Sequence, residues 1–233
     1  MPVCDFRALC NLTLNDAKQC IRHYSSKKSL WIHQFDKFFG NTRITATEEE
    51  RITELLGIVR GSGWNMNRQG QCAGIRDNVI SGQISKQDLH IFWKTIDSLP
   101  GISLRNLPFA DPNLFEQLET SFINIRITLR RWHQSSDTIC FLTKVILMFN
   151  WGQSPAFDSR VRSILKLRNG LSNAELLKAL VEMGFWIRDF ESLNGIALDE
   201  LATKEMRQVT GRLLRPLPLG RSFDMLLFSL TGM

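Results

Sequence analysis

Apolar residues recur along most of this chain at intervals of three and four, the spacing of helices with one buried face. LNDAKQCIRHY (14–24) and KKSLWIHQFDKFF (27–39) read as two helices joined at Ser25–Ser26. Thr47 with Glu50 makes a capping box for EEERITELLGIVR (48–60), whose Ile52, Leu55, Leu56 and Val59 share a face. Ser85 caps KQDLHIFWKTIDSL, which stops at Pro100–Gly101. Asp111 followed by Pro112 opens a long helix ending in Arg130 and Arg131, where cations suit the C-terminal dipole. SSDTICFLTKVILMFN comes next, with Ser135 or Ser136 as cap. Asp158 occupies an N-cap position before SRVRSILKLR. Ser172 and Glu175 form another capping box, and ALDELATKEMRQVTG is amphipathic. RSFDMLLFSL follows the proline-rich bend RPLPLG. About ten helices and no strand–turn–strand pattern predict an all-α protein.

GSGWNMNRQGQCAG (61–74) breaks the helical pattern. It lacks GK[ST] and has no strand before it, so it reads as a connection and not as a phosphate-binding loop. The expected organisation is a helical segment over 1–60, a glycine-rich connection over 61–84 and a helical core over 85–233. Together they would make one compact, two-lobed unit.

The chain has 233 residues, 43% of them apolar, enough for a proper core. No apolar run reaches the roughly 18–20 residues of a membrane span, and the longest candidate, Ile139 to Phe149, contains Lys144. MPVCDFRALCN has no basic region followed by a long apolar run and is no signal peptide. Five cysteines without CxxC spacing point to reduced thiols and a cytoplasmic setting. The four histidines are scattered, and no Cys/His cluster has zinc or iron–sulfur spacing. Neither a metal nor a cofactor is expected.

Charge is unevenly distributed. Residues 121–170 hold eight basic residues (Arg126, Arg130, Arg131, Lys144, Arg160, Arg162, Lys166 and Arg168) against Asp137 and Asp158. That excess equals the net charge of the whole chain, +6. A basic zone on one helix–loop–helix suits a phosphate backbone, and it equally describes a solvated basic face.

Within that zone, the helix over 136–149 has apolar residues on every face and one lysine, Lys144. Burial disfavours an ammonium ion, so a lysine placed there can become a nucleophilic amine. The plainer alternative is a lysine whose stem packs while its head reaches water. Asp158 caps a helix in either case. A capping carboxylate is held rigidly and could also stabilise a developing cation or take a proton.

Lys144–Val145, a short loop, then Pro155-Ala156-Phe157-Asp158-Ser159-Arg160-Val161 opening a basic helix resembles the helix–hairpin–helix DNA glycosylases. The pattern looks most like the divergent 8-oxoguanine glycosylase-like proteins of bacteria. RSFDMLLFSLTG is similar to the closing helix of that group. The resemblance covers mainly residues 135–168, with weaker support at 221–232. It implies a two-lobed helical fold that extrudes a damaged base, such as 8-oxoguanine, from duplex DNA into a cleft. It further implies Lys144 as the nucleophile at the sugar C1′, with base excision and then strand cleavage through a Schiff base. Asp158 would be its electrostatic and proton-handling partner. Arg160, Arg162, Arg130, Arg131 and Lys166 would contact DNA, and Trp151 and Phe157 would wall the base pocket. The family's glycine-rich hairpin is missing, because WHQSSDTICFLTK contains no glycine, and the Lys-to-Asp interval is short. The alternative is therefore a non-enzymatic nucleic-acid- or protein-binding module on a similar fold, as in a defence or regulatory system.

Overall fold

The computed structural model describes residues 2–26, 47, 84–133, 139–149, 152–168, 170–211 and 216–230. The helices expected over 27–39 and 48–60, the connection over 61–83, the cap at Ser135 or Ser136, and Trp151 lie outside the described residues. Within them the protein is all-α, with no strand. The helices are α1 (Leu14–Ser26), α2 (Lys86–Asp97), α3 (Pro112–His133), α4 (Ile139–Phe149), α5 (Ser159–Ile164), α6 (Asn173–Asn194), α7 (Leu198–Thr210) and α8 (Leu219–Leu230).

Side-chain caps start several of these helices where the sequence places them. Ser85 and Asp88 exchange reciprocal bonds at the start of α2, both 3.1 Å. Ser172 and Glu175 do the same for α6 at 2.8 and 3.2 Å. The Asp111 carboxylate accepts the Asn113 N–H (2.7 Å) where α3 begins. Each such bond satisfies an amide that the helix itself leaves without an acceptor.

The basic helix after Asp158 is shorter than its sequence suggests. SRVRSILKLR was expected to be helical throughout, yet α5 has only six residues. Lys166 turns into the left-handed region at φ 48°, and the Leu167 N–H closes the turn on Arg162 O (2.9 Å). A tertiary contact accompanies the break: the Asp5 N–H donates to Leu165 O (2.9 Å). The same N-terminal segment is anchored on α6, where the Glu182 carboxylate accepts the N–H groups of Val3 and Cys4.

One buried apolar cluster draws on all eight described helices, from Cys4 to Leu227. α1 lies against α7 and α8, which also touch each other, while α3 packs on α2, α4 and α6. The α8 helix is unusual in being enclosed on nearly every side, with residues 219–227 all buried. Its first turn presses on the loop after α4. The Arg221 N–H donates to Gly152 O (2.9 Å). A Cβ on Gly220 would lie 2.4 Å from both Gln153 C and Ser154 N. Only glycine allows this approach, because backbone atoms at that distance cannot swing aside. Gly220→Ala is expected to destabilise the fold by about 3 kcal/mol, read as a lower urea midpoint with an unchanged slope.

Candidate functional site

The α4 helix is amphipathic in neither direction, since Ile139, Leu142, Val145, Ile146 and Leu147 are all at most 1% exposed. Lys144 shares that environment, with 5% of its surface exposed. Beside it, the Thr143 hydroxyl donates to Ile139 O (2.9 Å) and accepts the Phe157 N–H (2.8 Å). That second bond ties the residue before Asp158 to the residue before Lys144. The segments that carry the expected pair are thus joined by a threonine that the sequence alone did not single out.

Asp158 is the N-cap of α5, its Oδ1 accepting the N–H groups of Arg160 (2.9 Å) and Val161 (3.0 Å). Its charge reaches Lys144. Burial lowers the lysine's pKa from the ordinary value, while Cys140 and the carboxylates Asp158 and Asp224 act in the opposite direction.

Asp224 brings in the third element, α8. The buried Arg221 guanidinium joins two groups, donating through Nη1 to Asp224 Oδ2 and through Nη2 to the Tyr24 hydroxyl of α1. Burial pushes the Asp224 carboxyl up to about 6. Arg221 works against that push, the neighbouring Asp158 adds to it, and Lys144 opposes it. For Arg221, burial opposes the charge, but Tyr24 and Asp224 outweigh it and raise its pKa. An aromatic contact chain completes the centre. The Arg160 guanidinium stands 4.0 Å from the centroid of the Phe228 ring. Phe228 meets Tyr24 edge-on at 5.2 Å.

The remaining expected site residues are dispersed. Arg131 pairs with Asp88 of α2 (3.1 Å) and Lys166 with Asp5 (3.5 Å). Arg168 of the same basic zone pairs with Glu175. The carboxylates come from outside the window in which the basic excess was counted, so the zone is less positive in space than along the chain. Arg130 and Arg160 are exposed and Arg162 is half-buried. Phe157 is wholly buried within the apolar core. Among the described residues, no three His, Cys, Asp or Glu side chains gather as metal ligands, and no helix is long and apolar enough to cross a membrane.

Arg221, Asp224 and Tyr24 escaped the sequence reading. Their signal was present: two opposite charges three apart, RSFD, at the head of an otherwise apolar helix, and the only tyrosine of the chain. Set beside protein-family models, curated proteins and solved structures, the chain matches none.

Two stability experiments follow from this geometry. Asp158→Ala should cost about 1 kcal/mol through the lost cap, whereas Asp158→Ser should keep most of that stability while removing the charge. Comparing their urea midpoints separates the capping role from any chemical one. Arg221→Met should cost about 3–5 kcal/mol by leaving Asp224 buried and unpaired, and Arg221→Met with Asp224→Leu should recover most of the loss. Chemical denaturation of the single and double variants measures both effects.

Proposed function

We propose that this protein is a base-excision DNA glycosylase acting on a damaged or modified base such as 8-oxoguanine, with a lyase step through Lys144. The observation that carries this reading is that buried Lys144 feels the charge of Asp158, while Thr143 beside it bonds Phe157 beside Asp158. Lys144 in its neutral form attacks the sugar C1′. The Nζ–C1′ bond forms as the bond from C1′ to the base breaks. The electron pair of that bond leaves with the base, which takes up a proton. Ring opening then yields a Schiff base, from which β-elimination cuts the strand. Asp158, fixed by its two amide bonds, supports the positive charge that develops at the sugar. Arg160, exposed and seated on Phe228, would contact a phosphate on this reading, as would exposed Arg130. The target base has to leave the duplex stack to reach such a centre.

A second reading, a DNA-binding module without chemistry, draws on two observations. WHQSSDTICFLTK has no glycine to form a phosphate-gripping hairpin, and several of the basic residues are engaged with the protein's own carboxylates.

Borohydride trapping on duplexes carrying 8-oxoguanine or an abasic site decides between them. The expected result is a covalent adduct with the wild type, absent in a Lys144→Ala variant that still melts cooperatively. No adduct and no base release on any substrate would overturn the glycosylase reading. Under the binding-module reading, duplex affinity still falls with salt, and Arg160→Ala lowers the salt slope by about 1.

A further inference from the structure

Two aromatic side chains stay on the surface although the core could have used them. Phe109 and Phe185 meet edge-on, with ring centroids 5.9 Å apart and 64% and 46% of their surfaces exposed. Phe109 ends the short 3-10 turn Leu107–Phe109, and Phe185 lies on α6. The turn is firmly seated. Leu104 and Leu107 are buried, and the Phe109 N–H donates to Asn106 O (2.9 Å). Gly184 lets the turn rest directly on α6, since a Cβ there would lie 2.2 Å from Leu104 O and 2.8 Å from the Pro108 ring. Arg188 clamps the pair from the side. Its guanidinium stands 4.6 Å from the centroid of the Phe109 ring, and its Nη1 donates to Arg105 O (3.5 Å). Arg105 is itself held by Glu191 (2.7 Å) and Asp199 (2.9 Å). The exposed rings therefore sit on a braced support, and a partner loses little free energy in ordering them.

Charge decides what that partner is. Phe185, Arg188 and Asp189 stand at i, i+3 and i+4, so they share one face of α6. Arg188 and Asp189 are both exposed, and among the described residues neither has an ion-pair partner. The charges around them are committed. Arg105 is taken by Glu191 and Asp199, and the Glu182 carboxylate accepts the N–H groups of Val3 and Cys4. The face thus offers one open cation, one open anion and an apolar pair. A polyanion gains little from it, because Asp189 repels what Arg188 attracts. A two-fold contact requires a surface that complements itself, and a face with both signs beside an apolar pair meets that requirement.

We propose that the Phe109–Phe185 face is the contact of a two-fold dimer, in which the rings of two copies of this chain pack together and Arg188 of each copy pairs with Asp189 of the other. Trp186, the next residue on α6, turns a different way, stacking on Phe190 (5.2 Å) and meeting Phe223 of α8 (5.3 Å). The dimer face is thus distinct from the side of α6 that packs on α8, and the proposal is independent of any role for Lys144.

Sedimentation velocity of the full chain over about 1–200 μM is the test. The wild type should pass from the monomer mass to twice that mass as concentration rises. Phe109→Ser should weaken the association at least about tenfold, the effect of losing an aromatic anchor from an interface. Arg188→Glu and Asp189→Arg should each weaken it by setting like charges against each other. An equimolar mixture of these two variants should dimerise again, because each then carries the charge the other lacks. Urea midpoints near that of the wild type establish that the variants fold, and the charge-swap mixture keeps the test decisive even where Phe109→Ser is unstable. A wild type that stays monomeric throughout overturns the proposal and leaves the face to a different protein. A dimer that Phe109→Ser leaves unchanged overturns it too, as does a mixture that stays monomeric while the wild type dimerises.

Discussion

The rest of the site depends on a pair of charges buried in the core. Arg221 and Asp224 sit one turn apart on α8, with side chains 3% and 8% exposed. Desolvating either ion alone would cost several kcal/mol, and their attraction offsets that cost only when the remaining polar atoms also find partners. The fold supplies such a partner in the Tyr24 hydroxyl. Satisfying the pair therefore fixes three things together: the rotation of α8 about its axis, the seat of α1 against it, and the height of α8 along the loop after α4. The Arg221 N–H on Gly152 O and the close contact at Gly220 fix the last of these again. The loop so placed is the one that runs on to Asp158.

The centre is assembled from distant parts of the chain. Tyr24 and Arg221 are 197 residues apart in sequence, while the Thr143–Phe157 bond spans 14. The Lys144–Asp158 half can form as soon as α4 and α5 are in place. The Arg221–Tyr24 bond exists only once α1 has closed on α8, and folding dominated by local contacts reaches such distant pairings late.

Local chemistry made much of this legible in the sequence. The caps at Ser85, Asp111, Asp158 and Ser172 act within three residues of themselves, and the structure has them where the pattern puts them. Lys144 stood out because an all-round apolar helix leaves no polar face for it. What the sequence could not reveal was tertiary in origin. The end of α5 comes with a bond from Asp5 and a left-handed Lys166, neither of which is encoded in SRVRSILKLR. The basic zone looked unopposed because Asp5, Asp88 and Glu175 lie outside the counted window and come to it only in space. Arg221 and Asp224 read as an ordinary i, i+3 pair until α8 turned out to be buried on nearly every side.

The balance of forces on Lys144 bears on what kind of lysine it is. A structural lysine in a core gains most from a single close carboxylate that fully neutralises it, and its amine then stays protonated. Here one carboxylate that acts on it caps a helix, and the other is bound to an arginine. Burial pulls Lys144 toward the free amine, while partly committed anions pull it back. Burial is the larger influence, so the lysine's pKa lies below its ordinary value. Binding of a polyanion beside Arg160 would favour the ammonium. Extrusion of a neutral base into the centre, displacing water, would favour the amine. If Lys144 is the nucleophile proposed above, these opposed shifts would couple its protonation to what binds beside it.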